Sequence, residues 1–585
     1  MRLNFIGRVS RIAAAFGAIL LGSASCVNID ETLGGNFIPT DQTWNVFPCE
    51  AVAFDKEGIT LKNSDYLSGY STSRFTFGSI KNGDFRSDKG TSFTLVPLAD
   101  SLDFGEDHKV LQFHLTAVRD TISTVYDKDK RILQNVYVYS LNAPLDSTVL
   151  YTSTDLKTDF VNIGKGRITK GVPVYNGGDS LSFDFSTEYA EAVISGIKEF
   201  QKMTALQKDS LSNYLKHVPG IYMETDPMAA DGGRINMFNL PIEASDGYIN
   251  GNYAELKIRA KYNGNDTPTD TLFVFYFGPS EFLKEDATSY PSQFAFNTSH
   301  ADDNVLAGWE AGTKENLYIE GGSGLKPVVK ASEIRNIAKE LIEAQGDKIN
   351  PAEVVINKAT IILPYNVDGA YEKLDKYPMI LSPTVKLVSE DEKYISYAGL
   401  TDSSIESENQ GDINRSLNMY CPDISHHVQE IVKLEQKEGE SDEEFRKRLD
   451  KYDIWFLIMH EETVTSSSTG SGYDDYYNNL MYNSYYNNMM YDPYGYGYGY
   501  GGYGGYGGYG YGGYGGYGGY GYNNYYNYYM MAAYANAANS SSSTSTSSIE
   551  LDKDRFYNAV LIGPGAAGEN RPSLKITFSA PKKAE

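Results

Sequence analysis

The chain has 585 residues, 41% of them apolar, enough for more than one globular core. Its 76 acidic against 51 basic residues leave a net charge of −25, which argues against nucleic acid as a partner and against long-range attraction to anionic lipid.

The first 25 residues differ from the rest. Arg2, Arg8 and Arg11 make a basic start, Ile12 to Leu21 is an apolar run, and Gly22-Ser23-Ala24-Ser25 are all small. This is the layout of a secretory signal peptide, and the run falls short of the roughly 20 apolar residues that span a bilayer. Cys26 follows directly, as in a bacterial lipobox, where the thiol is lipidated and becomes the first residue of the mature chain. Ser23 stands where a leucine is commoner. The alternative is ordinary cleavage beside an incidental cysteine. Each buried acyl CH₂ contributes about 0.8 kcal/mol, so more than one acyl chain gives stable anchoring. The two remaining cysteines, Cys49 and Cys421, either pair as a disulfide, which an exported compartment permits, or stay as two buried thiols.

Residues 26–43 read as a tether. From Trp44 onward, short runs of Val, Ile, Thr, Tyr and Phe alternate with Gly, Asn and Asp turns, which predicts strands. The clearest are Phe75–Phe77, Ser92–Val96, Val110–Leu115, Asn135–Ser140, Leu181–Phe185, Ala254–Ala260 and Leu272–Phe277. Later come Asn316–Ile319, Val354–Leu363, Asp453–Met459, Asn558–Ile562 and Leu574–Phe578. Helices are few. Thr187 to about Met203 follows the capping residue Ser186, and Asp209–Lys216 is a second segment. Ser332–Ala344 opens with its own N-cap and ends at Gly346, and Ser441 with Glu444 fits a capping box. The pattern predicts a mainly β chain of tandem β-sandwich or jelly-roll-like units with a few short helices. The expected division is an N-terminal β-rich region, 44–310, and a C-terminal one, 311–462 with 550–585.

Between the two parts of the C-terminal region, residues 463–549 carry only three charges, Asp474, Asp475 and Asp492. Tyr473 to Tyr534 holds 24 of the chain's 48 tyrosines, mostly in Gly-Tyr and Gly-Gly-Tyr repeats, with too few aliphatics to build a core. The segment is therefore expected to be a disordered insertion joining the strands Asp453–Met459 and Asn558–Ile562, paired as neighbours. Its tyrosines could stack on partners or sugars, or the insertion could simply be tolerated.

Candidate chemistry is sparse. Only His426-His427 cluster among the seven histidines, near Cys421 and Asp423, and adjacent helical residues diverge by about 100°. That spacing fits a helix start better than a metal site. Gly321-Gly322-Ser323-Gly324 lacks the Lys-Ser or Lys-Thr of a phosphate loop and the last glycine of a hydrolase elbow, and Pro327 favours extended chain, so it reads as a tight turn into a strand. No pair of carboxylates stands out for acid–base work. Neither a catalytic residue, a metal nor a cofactor is expected.

The chain resembles the DUF4270-type family of Bacteroidota outer-membrane lipoproteins, a domain of unknown function. The stretches that carry the resemblance are Leu33-Gly34-Gly35-Asn36-Phe37-Ile38-Pro39, Phe75-Thr76-Phe77-Gly78 with Thr91-Ser92-Phe93, and Pro219-Gly220-Ile221-Tyr222. They continue with Tyr318-Ile319-Glu320-Gly321, Ile356-Asn357-Lys358-Ala359 and Leu574-Lys575-Ile576-Thr577-Phe578. Ser73-Arg74 departs from the family's Asp-Pro. The resemblance implies a lipid-anchored outer-membrane protein, often facing outward, with no assigned catalysis. It implies accessory roles beside outer-membrane barrels or other lipoproteins in assembly, secretion or uptake. A surface adhesin or glycan-binding module, and a glycan-active enzyme, are the other classes left open.

Overall fold

The computed structural model describes residues 44–64, 74–82, 85–99, 101–120, 132–146, 151, 153–240, 242–245, 248–283, 290–301, 303–346, 349, 353–366, 377–388, 395–404, 409–465, 545–551 and 558–581. Cys26, the predicted signal peptide and tether, and residues 466–544 of the predicted insertion lie outside them.

The chain is mainly β, and among the described residues every ladder is antiparallel. A first unit pairs two sheets. One runs in the order β10 (Ser180–Asp184), β7 (Glu106–Val118), β15 (Tyr253–Lys261), β16 (Thr269–Phe277), β6 (Leu95–Pro97). The other runs β12 (Gly232–Asn239), β4 (Arg74–Asn82), β5 (Phe85–Phe93), β11 (Ile221–Thr225), β8 (Gln134–Ser140), β9 (Val174–Tyr175), with β17 (Phe296–Ala301) also on β5. Alternation sets which face is buried: Val136 and Val138 of β8 turn inward, and the residues between them stay part-exposed. The inner faces share one core with helix α1 (Thr187–Gln201), whose N-terminus is capped as predicted by Ser186 Oγ accepting from Tyr189 N–H at 3.2 Å. Two short helices, α2 (Ala205–Lys208) and α3 (Leu211–Leu215), follow it, and β13 (Ile242–Ser245) and β14 (Tyr248–Gly251) form a separate hairpin.

The second unit also pairs two sheets. One is ordered β1 (Trp44–Pro48), β28 (Ser573–Pro581), β20 (Val355–Pro364), β24 (Met419–Tyr420), β23 (Ile413–Asn414), with β2 (Val52–Ala53) on β28. The other is β22 (Ile395–Gly399), β21 (Ile380–Val388), β25 (Ile454–Thr465), β19 (Leu325–Val329), β3 (Ile59–Asn63), with β26 (Ser545–Leu551) on β25. A two-stranded ladder joins β18 (Asn316–Glu320) to β27 (Asn558–Ile562). The α-helices described in this unit are α4 (Asp303–Ala311), α5 (Ala331–Glu343), α6 (Ser425–Lys433) and α7 (Asp442–Leu449), the last with the predicted Ser441–Glu444 capping box. Residues from both sheets and from α5 and α6 form its core.

Three expectations are corrected. First, the N-terminal boundary moves. Residues 44–63 hold the first strands among the described residues, yet β1 and β2 lie on β28 and β3 on β19, so they belong to the C-terminal unit. Second, Asp453–Met459 and Asn558–Ile562 are not neighbours. The partners of β25 are β21, β19 and β26, while β27 pairs with β18. Third, α5 starts at Ala331, and Lys330 in the N-cap position gives no side-chain cap. Asp453, far along the chain, supplies one through Oδ1, which accepts from Ala331 N–H at 2.9 Å.

The β25–β26 pairing bears on the insertion. Thr465 lies opposite Ser545, so the last described residue before the 466–544 segment and the first after it stand side by side. Replacing them with an Asn-Gly turn should leave the urea midpoint equal or higher, because each halving of loop length lowers closure cost by about 0.6 kcal/mol. A shortened chain that fails to fold would mean that the insertion's side chains pack into the body.

Candidate functional site

The most concentrated buried chemistry lies where the two units meet. Lys89 sits on β5 opposite Ser299 of β17, both buried. Its Nζ donates to Ser299 Oγ at 2.7 Å and to the Ser323 carbonyl in the turn between β18 and β19. Lys326, on β19, is 1% exposed, and its Nζ donates to the carbonyls of Glu320 and of Gly322, the latter at 3.0 Å. Glu320, 0% exposed, accepts from Leu325 N–H at 2.9 Å through Oε2. Ser64, just past β3, donates to Gly324 O at 2.9 Å through Oγ. The predicted turn at residues 321–324 is therefore present, but its carbonyls face two ammonium groups that take the place of a bound cation.

Glycine is required in this turn. Gly322 has φ 60° and Gly324 φ 137°, and a Cβ on Gly324 would collide with the Glu320 carboxylate. Beside the turn, the rings of Phe85 and Tyr318 stack at 4.6 Å, giving the joint an apolar flank. Burial pushes the Lys326 amine down to about 7, helped by the like charge of Lys89 and opposed by Glu320. An amine donating to carbonyls is held as a donor rather than a base. Lys89 and Ser299 have the spacing of a serine–lysine pair, but both are closed off from solvent, so the geometry serves cohesion. Sequence reading passed over this cluster. Its signal was a lysine inside Leu325-Lys326-Pro327-Val328-Val329, a strand buried at every position.

The residues singled out from sequence do not converge. Cys49 and Cys421 are both free thiols, each part-buried. Cys49 follows β1 and Cys421 follows β24, with β28 and β20 between. Three strand spacings amount to roughly 14 Å, beyond the roughly 7 Å Cα limit for a disulfide. The disulfide alternative is thus replaced by two thiols, both with acidity lowered by burial. His426 and His427 do start a helix, α6, and the carboxylate of Asp402 accepts from both their backbone N–H groups at 2.7 and 3.1 Å. The His427 ring donates from Nε2 to Tyr452 O at 2.8 Å, and burial lowers its pKa to about 4, so it stays neutral. Among the described residues, no group of three or more His, Cys, Asp or Glu could hold a metal ion. On β8, the part-exposed Tyr137 donates to Asp226 at 2.9 Å, and the Arg167 guanidinium lies 5.7 Å from its ring centroid.

Asp453 combines its cap with a titration. Burial raises its carboxyl to about 6, against the opposing hydrogen bond from Ala331 and the Lys62 charge. The native state thus holds this proton more tightly than the unfolded chain, whose carboxyl titrates near 3.8. The stabilising contribution is full below that value and is lost as pH rises through about 6. Asp453→Asn keeps an acceptor for Ala331 and removes the ionisation. Its urea midpoint should gain on wild type between about pH 4 and 6, by on the order of 2 kcal/mol in stability. A pH-independent difference would show that Asp453 is not the titrating group.

Compared with family models, with curated proteins and with solved structures, the chain matches none.

Proposed function

We propose that the protein is a non-enzymatic, lipid-anchored outer-membrane lipoprotein of DUF4270 type, an accessory subunit of a complex built around an outer-membrane barrel or other lipoproteins. Cys26, closing a signal-like segment, is the observation that carries the reading, because a lipidated N-terminus fixes the body to a membrane. Support also comes from the two β units, whose sheets bury extended cores, and from the tyrosine-rich sequence that lies between β25 and β26.

The test is membrane fractionation followed by affinity purification of tagged wild type and Cys26→Ala from detergent-solubilised outer membrane. Wild type should stay in the membrane through washes at high salt and high pH and bring down a barrel protein or second lipoprotein in constant ratio. Cys26→Ala should be released by those washes. A variant still bound after them, or a wild type that elutes alone after cross-linking, defeats the proposal.

A further inference from the structure

A second site stands on the face of the β22-β21-β25-β19-β3 sheet turned away from the core. Trp455 of β25 is 5% exposed there, next to Val328 of β19 and opposite Thr384 of β21. Two ammonium groups converge on its ring: Lys62 Nζ from β3 at 5.5 Å and Lys386 Nζ from β21 at 5.2 Å from the centroid. Tyr397, paired with Lys386 across β21 and β22, closes on the same indole at 5.5 Å.

The charge of this group is only partly compensated. Among the described residues Lys62 has one carboxylate in reach, Asp453 at 4.0 Å, which is also engaged in capping α5. Among the described residues, Lys386 has no carboxylate within ion-pair distance, although the chain carries 76 acidic residues. Half-burial and the charge of Lys62 both make its protonated form harder to hold. On the same face of β3, the Thr60 hydroxyl is buried and has no hydrogen-bond partner among the described residues. The indole offsets part of the repulsion between two cations, and a bound anion would offset the rest.

We propose that Lys62 and Lys386, held over Trp455, bind a phosphoryl group, free or esterified on a lipid headgroup. A dianion suits two point-charge ammonium donors better than a monovalent carboxylate does. The site is independent of the membrane anchor, so neither proposal stands or falls with the other.

Calorimetric titration of the full chain in neutral detergent with inorganic phosphate tests it, alongside co-sedimentation with vesicles of phosphatidic acid or of phosphatidylcholine alone. Lys386→Met and Lys62→Met keep the apolar stem over the indole and remove the charge. Each should weaken binding about tenfold, the loss of one charge-assisted hydrogen bond. Near-UV circular dichroism should be unchanged. Binding of free phosphate identifies a soluble ligand, and binding of phosphatidic acid vesicles without competition by phosphate identifies a headgroup. Either outcome supports the site when both variants lose it. No binding in either arm, or equal binding by wild type and variants, overturns it. Should Lys386→Met fold poorly, Lys62→Met, whose side chain is 46% exposed, decides alone.

Discussion

Glu320→Ala should destabilise the second unit by about 3–5 kcal/mol, because it removes the buried carboxylate that favours the Lys326 charge and leaves that charge behind. The carboxylate is wholly buried, and its loss also frees the Leu325 N–H that Oε2 accepts. Burial already opposes the charge on Lys326, and Glu320 is the group that favours it, so the pair is coupled. Coupling gives the sharper test. In Glu320→Ala combined with Lys326→Met neither member of the Glu320–Lys326 pair is left alone, and the double variant should lose less stability than the sum of the single changes. Tryptophan fluorescence in urea is a suitable reading, since Trp44, Trp309 and Trp455 all belong to the second unit. A single variant within about 1 kcal/mol of wild type would mean that the turn is held by its glycines and carbonyls alone.

In the first unit, Phe75→Ala should cost about 3–5 kcal/mol through the cavity it leaves. Phe75 is fully buried on β4, with the rings of Phe93 and Phe238 each at 4.9 Å, Phe277 at 6.4 Å and Phe77 at 6.5 Å. Rings packed at these distances are fixed by one another, so the site collapses poorly when one is cut away. Phe75→Leu, which retains most of the volume, should lose about 1 kcal/mol. No tryptophan lies in this unit, so circular dichroism should show an early transition in Phe75→Ala. Whether fluorescence moves with it reports how tightly the Lys89 and Phe85 joint couples the units. A midpoint unchanged by Phe75→Ala would contradict the close packing of this core.

What the sequence determined by itself was local. Period-two alternation located β8, β15 and β28, since inward and outward residues succeed one another within a single strand. Caps that close within four residues, Ser186 on Tyr189 and Ser441 with Glu444, marked the starts of α1 and α7. Strands whose chemistry runs against local preference escaped. β12 opens on Gly232-Gly233 and buries Arg234 and Asn236, which is tolerable because Asn236 accepts from Arg234 Nε, the Ile132 and Tyr175 carbonyls accept from the other Arg234 nitrogens, and Gln134, on β8, accepts from Asn236. β21 carries Pro383 inside the sheet, where a proline ordinarily demotes a strand. Only the tertiary structure decided that β1 to β3 join the C-terminal unit, that β26 and not β27 lies on β25, and that Asp453 caps a helix distant in sequence. A strand's own residues encode which face is apolar but not which other edge will cover its N–H and C=O groups. That choice belongs to the burial of whole sheets against each other, a sum over contacts no short window contains.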